Sequence, residues 1–215
     1  MSKYKYIFFD LDGTLTDSAE GITYSVAYAL EKFGIQTADK KELKRFVGPP
    51  LVDAFMGFYG FSEENAKKAV EYYRERFRDI GIFENSVYRG VPELLESLKS
   101  KNYVLVMATS KPEEYAKRIA EHFDIAKYFD YIAGATFDGK RGTKTEVIEY
   151  ALKAMSVKDR QEVVMIGDRH HDAEGAYNTN LDFIGVLYGY GSREELVRAG
   201  AAMIAETPSD IEKFL

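Results

Sequence analysis

Residues 4–15 read Tyr-Lys-Tyr-Ile-Phe-Phe-Asp-Leu-Asp-Gly-Thr-Leu. Ile7, Phe8 and Phe9 form an apolar run that passes directly into Asp10, Asp12 and Gly13. A short run of β-branched and aromatic residues closed by Asp and Gly predicts a buried strand ending in a turn. Asp10 and Asp12 would then leave the strand end together. Like charges about 4 Å apart repel by roughly 4 kcal/mol at an effective dielectric near 20. A shared proton or a divalent cation must offset that cost. Gly13 lets the chain turn sharply, and Thr14 adds a hydroxyl. Taken alone, Asp-x-Asp-Gly also reads as an ordinary turn.

Working outward, further short apolar runs predict buried strands at Tyr103–Ala108, Tyr131–Gly134, Val163–Gly167 and Phe183–Leu187. Runs apolar on both faces suit a parallel sheet covered on both sides. The segments between them carry helical periodicity. Tyr115, Ile119 and Phe123 follow Pro112; Val147, Ile148, Ala151, Leu152 and Met155 make another stripe; Ser192 and Glu195 have the spacing of a capping box. Alternating strands and helices predict an α/β fold, a doubly wound parallel sheet of Rossmann type. One region breaks the rhythm. Between about 17 and 83 there are helical stripes, stopped at Gly34, at Gly48-Pro49-Pro50 and at Gly81, and no convincing strand. The expected organisation is a core of 1–16 and 84–215 with an inserted all-helical module, 17–83, standing as a lid over the strand ends where ligands bind in such sheets.

Two other predicted strands end in groups capable of chemistry. Val163–Gly167 runs into Asp168-Arg169-His170-His171-Asp172. If a helix begins there, Asp168 and Asp172 lie one turn apart on one face. Hard carboxylate oxygens suit Mg²⁺, although Asp168 could equally cap the helix. Adjacent His170 and His171 do not share a face, which argues against zinc. Tyr103–Ala108 runs into Thr109-Ser110-Lys111-Pro112, whose hydroxyls and free N–H groups could hold a phosphate or cap the next helix. Lys144, in Gly142-Thr143-Lys144-Thr145, lacks the glycine spacing of a P-loop and would be a surface lysine if it stood alone. In the helical module, Lys44 and Arg45 beside Gly48 could recognise an anionic or polar leaving group, or form a solvated helix end. The module's aromatics (Tyr24, Tyr28, Phe55, Phe58, Tyr59, Tyr72, Tyr73) read mainly as its own core, with an exposed subset able to stack a nucleobase.

Composition sets the limits. The 215 residues contain no Cys, which excludes disulfides, thiol nucleophiles and Cys-based metal sites. The net charge of −6 argues against a nucleic-acid polymer as partner. No apolar run approaches a membrane span or a secretory signal, so a cytoplasmic protein with no membrane partner is expected.

In this order, these elements resemble the haloacid dehalogenase superfamily. Asp10-Leu11-Asp12-Gly13-Thr14-Leu15 is similar to its first motif, Thr109 to the second, Lys144 to the third, and Gly167-Asp168 through Asp172 to the fourth. Lys140 and Arg141 are the other candidates for the third. The stretches 47–51, 185–191 and 199–201 look most like the phosphoglycolate phosphatase group, and 17–83 looks like that family's small helical cap. The resemblance implies a Mg²⁺-dependent phosphate monoester hydrolase acting through an aspartyl-phosphate. Asp10 would be the nucleophile and Asp12 the acid and base. Thr109 and Lys144 would hold phosphoryl oxygens. The metal would be held by Asp10, the Asp12 carbonyl and Asp168, with Asp172 in support. Thr14, Ser110, Arg45 and Gly48 are the expected substrate-side residues. A small phosphorylated metabolite such as 2-phosphoglycolate is the expected substrate. A 5′-nucleotidase, a β-phosphoglucomutase-like mutase and a catalytically silent binding protein on the same fold are the alternatives.

Overall fold

The computed structural model describes residues 3–37 and 39–215. The chain divides into two compact units, one of 1–16 with 87–215 and one of 17–86. The first is built on a six-stranded parallel sheet ordered β5-β4-β1-β6-β7-β8. Its strands are β1 (Tyr6–Phe9), β4 (Val104–Pro112), β5 (Tyr131–Ala135), β6 (Val163–Gly167), β7 (Asp182–Val186) and β8 (Met203–Ala205). The helices are α4 (Val91–Ser100), α5 (Glu113–His122), α6 (Lys144–Ala154), α7 (His170–Asn178) and α8 (Arg193–Arg198). The doubly wound parallel sheet expected from the sequence is present. Two short strands, β2 (Thr16–Asp17) and β3 (Ser86–Val87), pair where the chain passes between the units.

The sheet forms because its strands are apolar on both faces. Ile7, Phe8 and Phe9 are completely buried, as are Val163 to Ile166. On one face, Phe8, Val106 and Met165 pack with Val147, Ile148 and Ala151 of α6 and Ala173 and Ala176 of α7. The predicted α6 stripe is the stripe that is buried. β1 is central, paired in register with β4 on one side and β6 on the other. The ends of β1, β4 and β6 therefore lie side by side at one edge, at the point where the strand order reverses. Ligands of open α/β sheets bind outside the strand ends at that point.

Two local details go beyond the sequence reading. The helical stripe stopped at Gly48 is a 3₁₀ helix over Lys40–Phe46. A sixth strand, β8, follows Ala199-Gly200-Ala201.

The second unit contains α1 (Ala19–Glu31), α2 (Leu51–Tyr59) and α3 (Glu63–Arg76), with a π turn over Phe77–Gly81. Its core is aromatic: Phe46 and Phe55 ring centroids are 5.0 Å apart, and Tyr73 stacks on Phe77 at 5.0 Å. α1 and the π turn meet at two glycines. A Cβ on Gly21 would fall 1.9 Å from the Gly81 carbonyl oxygen, inside backbone that has no flexible end to move. Gly21→Ala is therefore expected to cost about 1–3 kcal/mol net, although alanine favours the helix itself. Thermal denaturation should show the loss, and a melting temperature at or above wild type would refute the close approach.

Candidate active site

Asp10 leaves the end of β1 and is followed by a tight turn. The N–H groups of Thr14, Leu15 and Thr16 all donate to the Leu11 carbonyl, and Gly13 N–H donates to Thr16 O. Gly13 has φ +85°, and a Cβ there would fall 2.2 Å from Asp168 Oδ2. Glycine is required on both counts. Asp168 follows β6 and is completely buried. Asp172 lies in the first turn of α7, where its Oδ2 accepts from Arg169 N–H at 3.1 Å. Gly167 leaves room for it, since a Cβ there would fall 2.3 Å from Asp172 Cγ.

Asp10, Asp168 and Asp172 each offer an oxygen within 4.8 Å of the others, all three residues being buried. Lys144, first residue of α6 behind the Thr143–Glu146 capping box, reaches into this group. Its Nζ is 2.7 Å from Asp10 Oδ1 and 2.8 Å from Asp172 Oδ1. Lys144 Nζ also donates to Ala108 O at 3.0 Å. Asp12 is handled separately: Lys111 Nζ, at the end of β4, is 2.7 Å from its Oδ2. Each member of the Asp pair thus has its own lysine.

Charge counting shows what the cluster can hold. Three carboxylates and Lys144 leave two negative charges in a buried space, beside the neutral Asp12–Lys111 pair. Burial pushes Asp10 up to about 6, against the pull of Lys144. Burial and then the Asp172 charge hold Asp168 well above the usual carboxylate range. Burial opposes the Lys144 charge, but Asp10 and Asp172 outweigh it and raise that pKa. Oδ1 of Asp12 and of Asp168 is buried without a hydrogen bond, while Oδ1 of Asp10 and of Asp172 share the single Lys144 ammonium. Buried acceptors left in this way are costly. Hard oxygen ligands and a −2 excess fit a divalent cation of the Mg²⁺ kind.

Other expected residues are distributed as follows. Thr109 is buried at the end of β4, with its Oγ1 accepting from Lys111 N–H at 3.2 Å, and Ser110 beside it is half-buried. Thr14 is buried, with its hydroxyl unpartnered. Lys140 is exposed and pairs with Asp138. Arg141 is bound to Glu113 and to Gly134 O. Neither is at the Asp cluster, which leaves Lys144 there. Arg45 and Gly48 are in the helical unit, where the Arg45 guanidinium lies 4.5 Å from the Phe58 ring centroid.

Three features were not anticipated. Lys111 is one, because Thr-Ser-Lys-Pro also reads as a helix start. The second is the Gly189-Tyr190-Gly191 loop after β7. Tyr190 N–H donates to Asp168 Oδ2 at 2.7 Å, and a Cβ on Gly191 would fall 1.9 Å from Asp168 O. The Gly-x-Gly spacing was the available signal for so close an approach. The third corrects the expected Ser192–Glu195 capping box. Ser192 does cap Glu195 N–H, but the Glu195 carboxylate turns away to Arg169 and His170.

Comparison with known proteins gives the family. The family model for haloacid dehalogenase-like hydrolases matches residues 7–186. The chain belongs to that family, and within it to the phosphatase-type hydrolases. It is 48% identical over 194 residues to a 5′-nucleotidase of Pseudomonas aeruginosa, covering 90% of this chain and 87% of the relative. A phosphoglycolate phosphatase of Vibrio parahaemolyticus is 27% identical, over 96% of this chain and 94% of the relative. Among solved structures, a predicted phosphatase from Clostridium acetobutylicum superposes with a TM-score of 0.95 at 52% identity, covering 98% of this chain and 97% of that one. Among the described residues, no helix is long and apolar enough to cross a membrane.

Proposed function

We propose that the chain hydrolyses small phosphate monoesters with a divalent cation, Mg²⁺ in the cell, held by Asp10, Asp168, Asp172 and the Asp12 carbonyl. The observation that carries this is the buried group of three carboxylates that share one lysine, with Asp168 Oδ1 left unpartnered. The cation would neutralise charge on Asp10 and the phosphoryl oxygens. Asp10 attacks phosphorus and becomes an aspartyl-phosphate, expelling the alcohol. Asp12 gives a proton to the leaving oxygen, then takes one from the water that attacks phosphorus, which breaks the aspartyl-phosphate bond, frees Asp10 and releases phosphate. Lys144 and Thr109 hold the phosphoryl oxygens, and Lys144 keeps Asp10 in place. The helical unit acts as a cap.

For the substrate we place nucleoside 5′-monophosphates first and 2-phosphoglycolate second. The support is the 48% identity to a protein named 5′-nucleotidase, against 27% to one named phosphoglycolate phosphatase.

Chelation tests the reading. Exhaustive EDTA treatment should remove p-nitrophenyl phosphate turnover, and Mg²⁺ should restore it. Undiminished activity after chelation would refute the cation. A panel of nucleoside monophosphates, 2-phosphoglycolate and sugar phosphates then ranks substrates by kcat/KM, and a phosphoglycolate value above every nucleotide would reverse the proposed order.

A further inference from the structure

Glu195 is tied by hydrogen bonds to the loop that carries two of the clustered carboxylates. It lies on α8, in sequence far from Asp168, yet a single oxygen, Oε1, receives Arg169 Nε at 2.8 Å and His170 N–H at 2.9 Å. His170 Nδ1 lies 2.7 Å from the same oxygen. The carboxylate is only 24% exposed, and these bonds hold it below the ordinary range, at about 2, in spite of partial burial. Arg169 and His170 are the residues between Asp168 and the rest of α7. Arg169 N–H in turn donates to Asp172 Oδ2. The segment leading into α8 fixes Asp168 from the other side, through Tyr190 N–H and the close approach of Gly189 and Gly191. One stretch, 189–195, therefore grips the fourth-motif loop at three successive residues, Asp168, Arg169 and His170.

We infer that Glu195 is a positioning residue for the cation: by anchoring Arg169 and His170 it fixes the directions in which Asp168 and Asp172 present their oxygens. This rests on the cation reading given above. Groups that orient metal-binding carboxylates typically account for 10–100-fold in metal affinity. Glu195 itself touches neither the cation site nor substrate.

The test measures Mn²⁺ binding to the full chain by electron paramagnetic resonance, well below the melting temperature and without substrate. Glu195→Ala, folded by circular dichroism, is expected to bind Mn²⁺ about 10-fold or more weakly. Glu195→Gln keeps an acceptor oxygen without the charge and should stay within about 3-fold of wild type. The exposed neighbour variant Glu194→Ala should match wild type. Should Glu195→Ala not fold, Glu195→Asp carries the test: it keeps the charge but withdraws the acceptor by one methylene, and should weaken binding. Wild-type affinity in folded Glu195→Ala, or in Glu195→Asp, would overturn the inference. So would equal weakening in Gln and Ala, because charge alone would then account for it. Failure of the wild-type protein to bind Mn²⁺ would instead overturn the cation reading, and this inference with it.

Discussion

Asp10→Asn is expected to lower p-nitrophenyl phosphate turnover by about 10⁴-fold or more, which corresponds to roughly 5 kcal/mol of barrier. Asparagine keeps the shape of the side chain at the end of β1 but offers no carboxylate to attack phosphorus. A covalent step would then be lost outright. If Asp10 merely held a cation while water attacked directly, the remaining carboxylates would preserve part of the rate. The fold should survive. Asp10 is one of three crowded, buried carboxylates, and its carboxyl sits at about 6 because burial outweighs Lys144. Removing one charge from an uncompensated group relieves repulsion, so the metal-free variant should melt no lower than wild type. Acid-quenched wild-type protein should retain label from a ³²P-phosphate ester, and the variant should not. Turnover within 100-fold of wild type, in a sample free of host phosphatase, would rule out Asp10 as nucleophile.

The residues legible in sequence were those whose chemistry and position coincide. Asp10, Asp12 and Asp168 stand at the ends of strands that are apolar on both faces, so the strands announce themselves and the acids follow. Lys144 was legible only through the resemblance to the family's third motif; its partner lies 134 positions away, as the Lys144–Asp10 ion pair makes plain. Lys111 was hidden by its surroundings, because Thr-Ser-Lys-Pro satisfies the rules for a helix start as well as it serves a buried ion pair. β8 was missed for want of length: Met203–Ala205 has three residues at the sheet edge, too few to show a period. The Glu195 error has a different cause. Ser192 and Glu195 have capping-box spacing, but Arg169 Nε and His170 N–H outcompete a single exposed backbone N–H for that carboxylate. Local pattern rules cannot weigh such a tertiary competitor.

Lys144→Met carries the second large effect, and it falls on stability as well as rate. The substitution keeps the length and apolar stem of the side chain while removing the cation from among Asp10, Asp172 and Ala108 O. Breaking a buried ion pair by deleting one partner costs about 3–5 kcal/mol, because the surviving charge stays buried without compensation. At about 2–4 °C per kcal/mol for a chain of this size, the metal-free variant should melt on the order of 10 °C below wild type at pH 7. The loss should depend on pH with a definite sign. Burial favours the neutral form of Asp10 and pushes its folded-state pKa up to about 6, above the ordinary carboxylate value of 3.8. A carboxyl raised in the folded state takes up protons on folding. Its contribution is most favourable below the unfolded pKa and is lost as pH rises through the folded one. Without Lys144 to pull it down, Asp10 should be raised further. Lowering the pH from 7 to 5 should therefore restore much of the variant's melting temperature in metal-free buffer. Melting curves of the variant that coincide at pH 5 and pH 7 would show that Lys144 contributes packing rather than charge.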